Sequence, residues 1–243
     1  MMFLSNVSLA SVIRTQVKFK LQAYIGAVLS LIFIQLLGLL LTSSTGMIGT
    51  SSIGTEITIN TYTLDGVLFF VAAWAVFVGN LITTKAYRYD DFTFVSTRLS
   101  SNIANIVVLM IVSAVAAVTT FLCTYLLRLY QVLFSKVVFI DGPGILDEPV
   151  ATMQTLLLLF ILISMFTSFG YLMGSLVQKH KALILIFPII LVGIVMSSIG
   201  LNIIEFFFIV EGNLWVFMLK IFGLSVIFFL ISVAVSNRWE VRA

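Results

Sequence analysis

The sequence predicts an all-α integral membrane protein of six transmembrane helices, and three observations carry that prediction. Hydrophobic residues make up 61% of the chain and charged residues only 9%, against roughly 25% charged in a soluble domain. The mean hydropathy is +1.20. Six apolar stretches, roughly 23–42, 63–82, 103–127, 155–177, 182–204 and 214–236, each approach the ~20 helical residues that cross ~30 Å of hydrocarbon. The basic residues, finally, gather in alternate connections. Hydrocarbon offers the backbone no water to bond, so helices are the form expected, and the alternation of barrel strands is missing. The chain reads as one transmembrane domain: an interfacial N-terminal helix over 1–22, a bundle over 23–236 and a tail over 237–243.

In the N-terminal segment, Leu9, Ile13, Val17, Leu21 and Tyr24 recur at close to helical spacing, while Arg14 and Lys18 share another face. Such a basic amphipathic helix is expected to lie in the headgroup plane, drawn to anionic lipid; a simple positive anchor is the other reading. The first span is too long for a signal-peptide core and is expected to be retained.

Orientation follows from Lys and Arg. Arg14, Lys18, Lys20, Lys85, Arg88, Arg98, Lys179, Lys181, Arg238 and Arg242 fall on one side, ten of the 13 basic residues. Seven of the ten acids go with the other side. Both termini are therefore expected in the cytoplasm. The net charge of +3 does not indicate nucleic acid, because these cations flank apolar runs.

The connection KAYRYDDFTFVSTRLSS (85–101) then lies on the cytoplasmic side. As a helix it would align Phe92, Val95 and Leu99, with Asp90 or Asp91 as N-cap. It reads either as a solvated loop anchored by aromatics or as a docking surface for a soluble partner. On the opposite side, 42–63 is Ser/Thr/Gly-rich and expected to be flexible or weakly structured. Residues 128–140 segregate Arg128, Gln131 and Ser135 from Leu129, Val132, Leu133 and Val137, so the third helix extends outward or a separate helix rests on the leaflet. Pro188 is expected to kink the fifth span. Residues 201–213, apolar but carrying Glu205 and Glu211, read as a helix end with a turn or as a segment dipping back into the leaflet.

Charge within a span is the default functional flag. Lys220 lies about two turns into the sixth span, with Glu205 and Glu211 near in sequence as ion-pair partners. Gln35, Asn80, Asn102, Asn105 and Asn202 are of the type that ties helices together. Enzyme signatures are absent. The single histidine, His180, excludes an H-E-x-x-H zinc site, no G-x-S-x-G occurs, and there is no G-x-x-x-x-G-K-[ST] for ATP. The lone Cys123, inside an apolar stretch, allows no intramolecular disulfide and no cysteine metal cluster. No metal site and no cofactor are expected in this chain.

Six spans, cytoplasmic termini, a basic N-terminal helix and the segment YRYDDFTFVSTRLSSNIANI (87–106) together resemble the membrane (permease) subunit of a bacterial ABC-2-type exporter. The resemblance covers the whole chain in topology and about 20 residues in motif. It implies that 83–101 is a coupling loop fitted to a separate P-loop ATPase subunit, with Tyr87, Arg88, Asp90, Asp91, Phe92, Phe94 and Arg98 as contact residues. ATP and Mg would sit on that partner. It further implies a second permease copy or paralogue, a bacterial cytoplasmic-membrane location, a re-entrant 201–213 and a flex point at Pro188. The 128–149 connection departs from the family in being longer and more apolar. A non-transporting membrane accessory or immunity protein is the alternative, and a secondary transporter stands third for want of a repeat or a midplane acid.

Overall fold

The computed structural model describes residues 9–45, 49–52, 58–61, 64–84, 87, 97–134, 147–209 and 212–237. Its helices are α1 (Leu9–Ala23), α2 (Ile25–Thr45), α3 (Asp65–Leu81), α4 (Arg98–Phe134), α5 (Pro149–Lys179), α6 (Leu183–Met196), α7 (Ser198–Ile204) and α8 (Leu214–Asn237). A π-helical turn, Glu205–Ile209, follows α7 directly. Among the described residues four helical segments are long and apolar enough to cross a membrane: Ile25–Thr42, Leu99–Phe134, Pro149–Lys179 and Leu214–Ser236. At 17 residues, α3 falls just short. The chain therefore has the helices of a multi-pass membrane protein.

Two elements depart from expectation. In the Ser/Thr/Gly-rich connection, β1 (Gly49–Ser52) and β2 (Thr58–Thr61) pair antiparallel, from Gly49 opposite Thr61 to Ser52 opposite Thr58. Threonine and isoleucine favour the strand pleat, and the backbones satisfy one another. The stretch 182–204 is not one helix: it breaks at Ser197, whose backbone is extended at φ −82° and ψ 153°. Pro188, expected to kink the span, lies within the continuous helix α6.

The bundle is arranged around α5, which packs against α3, α4 and α8. With α3 the contact is made by backbone: a Cβ added at Gly79 would lie 2.8 Å from the Tyr171 amide nitrogen, and one at Gly170 would lie 2.8 Å from Val76 Cα. Asn80 and Thr83 crowd Gly174 in the same way. This is the small-xxx-small geometry, in which missing side chains let helices approach closely and gain dispersion contact that lipid cannot match. Around it lie Val67, Val71, Trp74 and Val78 of α3, Val108, Leu109 and Val112 of α4, and Ile163 of α5, all buried. Ile161 and Met165 of α5 form a second cluster with Met218 and Ile221 of α8.

Side-chain bonds set the directions. Gln35 of α2 donates to Thr119 and Thr120 of α4 at 2.9 and 3.1 Å, and Lys20 of α1 donates to Asn105. The sequence separations are 84, 85 and 85, so α1 and α2 run parallel to α4 in one register. Ser225 of α8 meets the Ser164 carbonyl, and Ser232 meets Ser175 and the Tyr171 carbonyl, so α5 and α8 are also parallel. The outward faces are oil: Leu29, Phe33 and Leu40 of α2, and Leu219 and Leu230 of α8, are all more than 60% exposed. A bilayer covers such a surface; water does not.

Gly170→Leu should lower stability by at least about 2 kcal/mol through overpacking, whereas Gly193→Leu, with nothing within 4 Å of its position, should stay within about 0.5 kcal/mol. Cys123 is the single cysteine and is buried, so its reactivity with a thiol dye during heating reads the unfolding midpoint of each variant.

Candidate functional site

The end of the bundle where the basic residues collect is held by a chain of polar side chains. Lys20 is 6% exposed, and its ammonium donates to Asn105 Oδ1. Asn105 Nδ2 donates to the Tyr171 hydroxyl at 3.4 Å, and that hydroxyl donates to Asn102 Oδ1 at 3.2 Å. Ser236 Oγ also donates to Asn102 Oδ1, at 3.2 Å. One network thus joins α1, α4, α5 and α8. Ser175 and Ser232, 2.7 Å apart, lock α5 to α8 beside it. Higher in the bundle, Ser113 and Thr167 join α4 to α5 at 3.1 Å, and Trp74 donates to Ser30 at 3.0 Å.

The network explains how α1 is placed. The face of α1 turned to protein carries Gln16 and Lys20, and Tyr24, just past its end, continues that face at i, i+4 and i+8; all three are buried. Arg14 and Lys18 point outward, and Leu9 is half exposed. The helix thus has three faces where the sequence suggests two, and it docks on α4 as well as presenting apolar and basic side chains outward. A buried ammonium is costly unless hydrogen-bonded, and the Asn105 carbonyl oxygen supplies that bond. The Gln16 side-chain amide is buried and finds no hydrogen-bond partner among the described residues.

Of the residues expected to couple to a partner, Tyr87 lies half-buried, its ring stacked on Tyr24 with centroids 4.9 Å apart and planes 21° apart. Arg98 begins α4. Arg88, Asp90, Asp91, Phe92 and Phe94 lie outside the described residues. Both described ends of the loop therefore meet α1 or the helix it docks on. Tyr87 is held by Tyr24, and the first turns of α4 carry Asn102 and Asn105.

At the opposite end, Glu205 opens the π turn and is exposed, while Glu211 lies outside the described residues. Lys220, expected to pair with these acids, donates to the carbonyl of Phe206 at 3.2 Å and sits 3.7 Å from the centre of its ring. Among the described residues no three His, Cys, Asp or Glu side chains converge to hold a metal ion. The arrangement links side chains of several helices at both ends of the bundle.

Gln35, Asn102 and Asn105 tie helices together as their residue type suggests. Tyr171 and the Ser175–Ser232 pair were not marked by the sequence, because a tyrosine in a span reads equally as packing. Gly170 and Gly174 do carry a legible signal, the G-x-x-x-G of GYLMG.

Lys20→Met and Asn105→Leu should each destabilise the protein by about 1–3 kcal/mol, because each leaves a buried partner unsatisfied. The double variant should cost less than the sum, and a thermal double-mutant cycle reads that coupling. A scan of known protein families, a search of curated proteins and a search of solved structures each give no match for this chain.

Proposed function

We propose that this chain is the membrane subunit of an ATP-driven exporter of the ABC-2 type, crossing the membrane six times with both termini in the cytoplasm. The charged loop between α3 and α4 would receive a separate P-loop ATPase subunit carrying ATP and Mg, and a second permease copy or paralogue would complete the transport path.

The observation that carries this proposal is the pair of contacts that ties both flanks of the loop to α1 and the residue just past it. Tyr87 stacks on Tyr24 at one end, and Lys20 bonds Asn105 just beyond the other. A push on such a loop is delivered to α1 and α4 together, and through Tyr171 and Ser236 to α5 and α8. An idle connection needs no such linkage. Six crossings are supported by chain direction. Helices α5 and α8 run parallel, so the chain must return from the end of one to the start of the other, and residues 180–213 make that return. The segregation of Lys and Arg supports cytoplasmic termini. The absence of a nucleotide-binding motif is consistent with an ATPase encoded as another chain.

The test is purification of this chain in a gentle detergent, scored for a co-purifying P-loop ATPase. Recovery of one is expected, and Asp90→Lys with Asp91→Lys should lower it at least about tenfold, since like charge set against a docked surface costs several kcal/mol. A clean preparation without an ATPase, under conditions that hold a known transporter together, would sink the exporter and favour a non-transporting accessory protein.

A further inference from the structure

The stretch 183–209 packs only lightly on the rest of the bundle. Several side chains of α6 face outward: Ile184, Ile189, Ile190, Val192 and Met196 are each more than half exposed, while Leu183 and Val195 are partly covered. Yet its junction with α7 is tightly built. Ser197 Oγ donates to the Ile194 carbonyl at 2.7 Å and accepts from the Gly200 amide at 3.1 Å. Gly200 presses on the Ile194 carbonyl so closely that no Cβ fits there; one placed at Gly200 would also lie 3.1 Å from the Val195 amide nitrogen. The π turn then continues α7 without a gap. From Leu183 to Ile209 the chain has one break, and that break is locked on both sides.

The two attachments of this stretch differ in kind. At the α5 end, Lys179 leads through an extended His180 and a short turn at Lys181 and Ala182, a connection without buried side chains. At the far end, the ammonium of Lys220 caps a carbonyl in the last turn of the helical run and lies over the ring of the same residue, Phe206. A cation at a helix C-terminus meets the negative end of the helix dipole as well as the free carbonyl. Lys220 is thus a cap supplied in trans, from the next helix.

We infer that α6, α7 and the π turn form one rigid body that swings about the His180–Ala182 turn, and that Lys220 is the positioning residue that clasps its far end to α8. The motion exchanges one polar contact for another: when the body leaves, both the ammonium and the Phe206 carbonyl lie at the outer interface, where water can replace each for the other. An apolar side chain at 220 removes the cap, and the body loses its preferred position.

Paired spin labels in a Cys123→Ala background test this. The pair Asn202→Cys and Ala151→Cys spans from α7 to the start of α5. Gly193→Cys with Asn202→Cys lies within the body, and Ala114→Cys with Ala151→Cys lies within the bundle. All these positions are exposed. With Lys220 present, the spanning pair should give one narrow distance. Lys220→Met should add a second, displaced population, Lys220→Arg should remove it, and the two internal pairs should stay unchanged throughout. Phe206→Leu, which deletes the ring but keeps the carbonyl, should give the same second population at lower occupancy and serves if Lys220→Met disturbs the bundle pair. A spanning distance that is unaltered in both variants overturns the clasp, and a changed distance within the body overturns its rigidity.

Discussion

Gly79, Gly170 and Gly174 bring the backbones of α3 and α5 closer than any side chain allows, and the bundle is organised around that contact. Between helices in lipid there is no hydrophobic drive, because a lipid tail is as apolar as a leucine. What remains is dispersion at short range and hydrogen bonding between polar side chains of facing helices. The glycines supply the first. They also make α5 the central helix: with α3 seated so tightly on one face, the others are open to α4 and α8, and the serines on those faces find acceptors there.

Each interhelical bond of this kind is worth about 0.6 kcal/mol on average and rarely more than about 1.7 kcal/mol. No single one holds the fold, and their distribution matters more than their strength. In the middle of the bundle they join neighbours pairwise, as Ser113 does Thr167 and Gln35 does Thr119. At the basic end they merge, and four helices share the group Lys20, Asn105, Tyr171, Asn102 and Ser236. Pairwise bonds let one helix shift with a small loss. A shared network makes α1, α4, α5 and α8 respond together, and this is the end at which the charged loop leaves the bundle.

Much of this was legible in the sequence, and the rest was hidden for definable reasons. Composition and the lengths of the apolar stretches announce membrane helices because lipid demands ~20 apolar residues whatever the fold. The α1 periodicity was visible, but not that Gln16 and Lys20 would face protein: a lysine beside a membrane reads as a headgroup anchor until an acceptor such as Asn105 is known, 85 residues away. Pro188 marks a lost backbone bond within the fifth span, but the helix break falls at Ser197, after α6. A proline removes one bond and supplies nothing in return. Ser197 both accepts and donates, so the chain turns where the loss of helix is best compensated.

The direction of the chain explains why the segment after α5 has this character. Helices α5 and α8 run the same way, so residues 180–213 must climb the full height of the bundle in between. Helices α3, α4 and α8 already pack along the sides of α5, and most described side chains of α6 are exposed. A helix of apolar side chains has no interhelical hydrogen bonds to offer, so the polar groups exposed by its break must be served locally. Ser197 serves one side of the break, and Lys220 reaches across from α8 to serve the other end of the run. The lysine that stands out as a charge within an apolar span is, on this view, the consequence of a lightly packed helix upstream of it. Its place on α8 follows from where the chain had to come back.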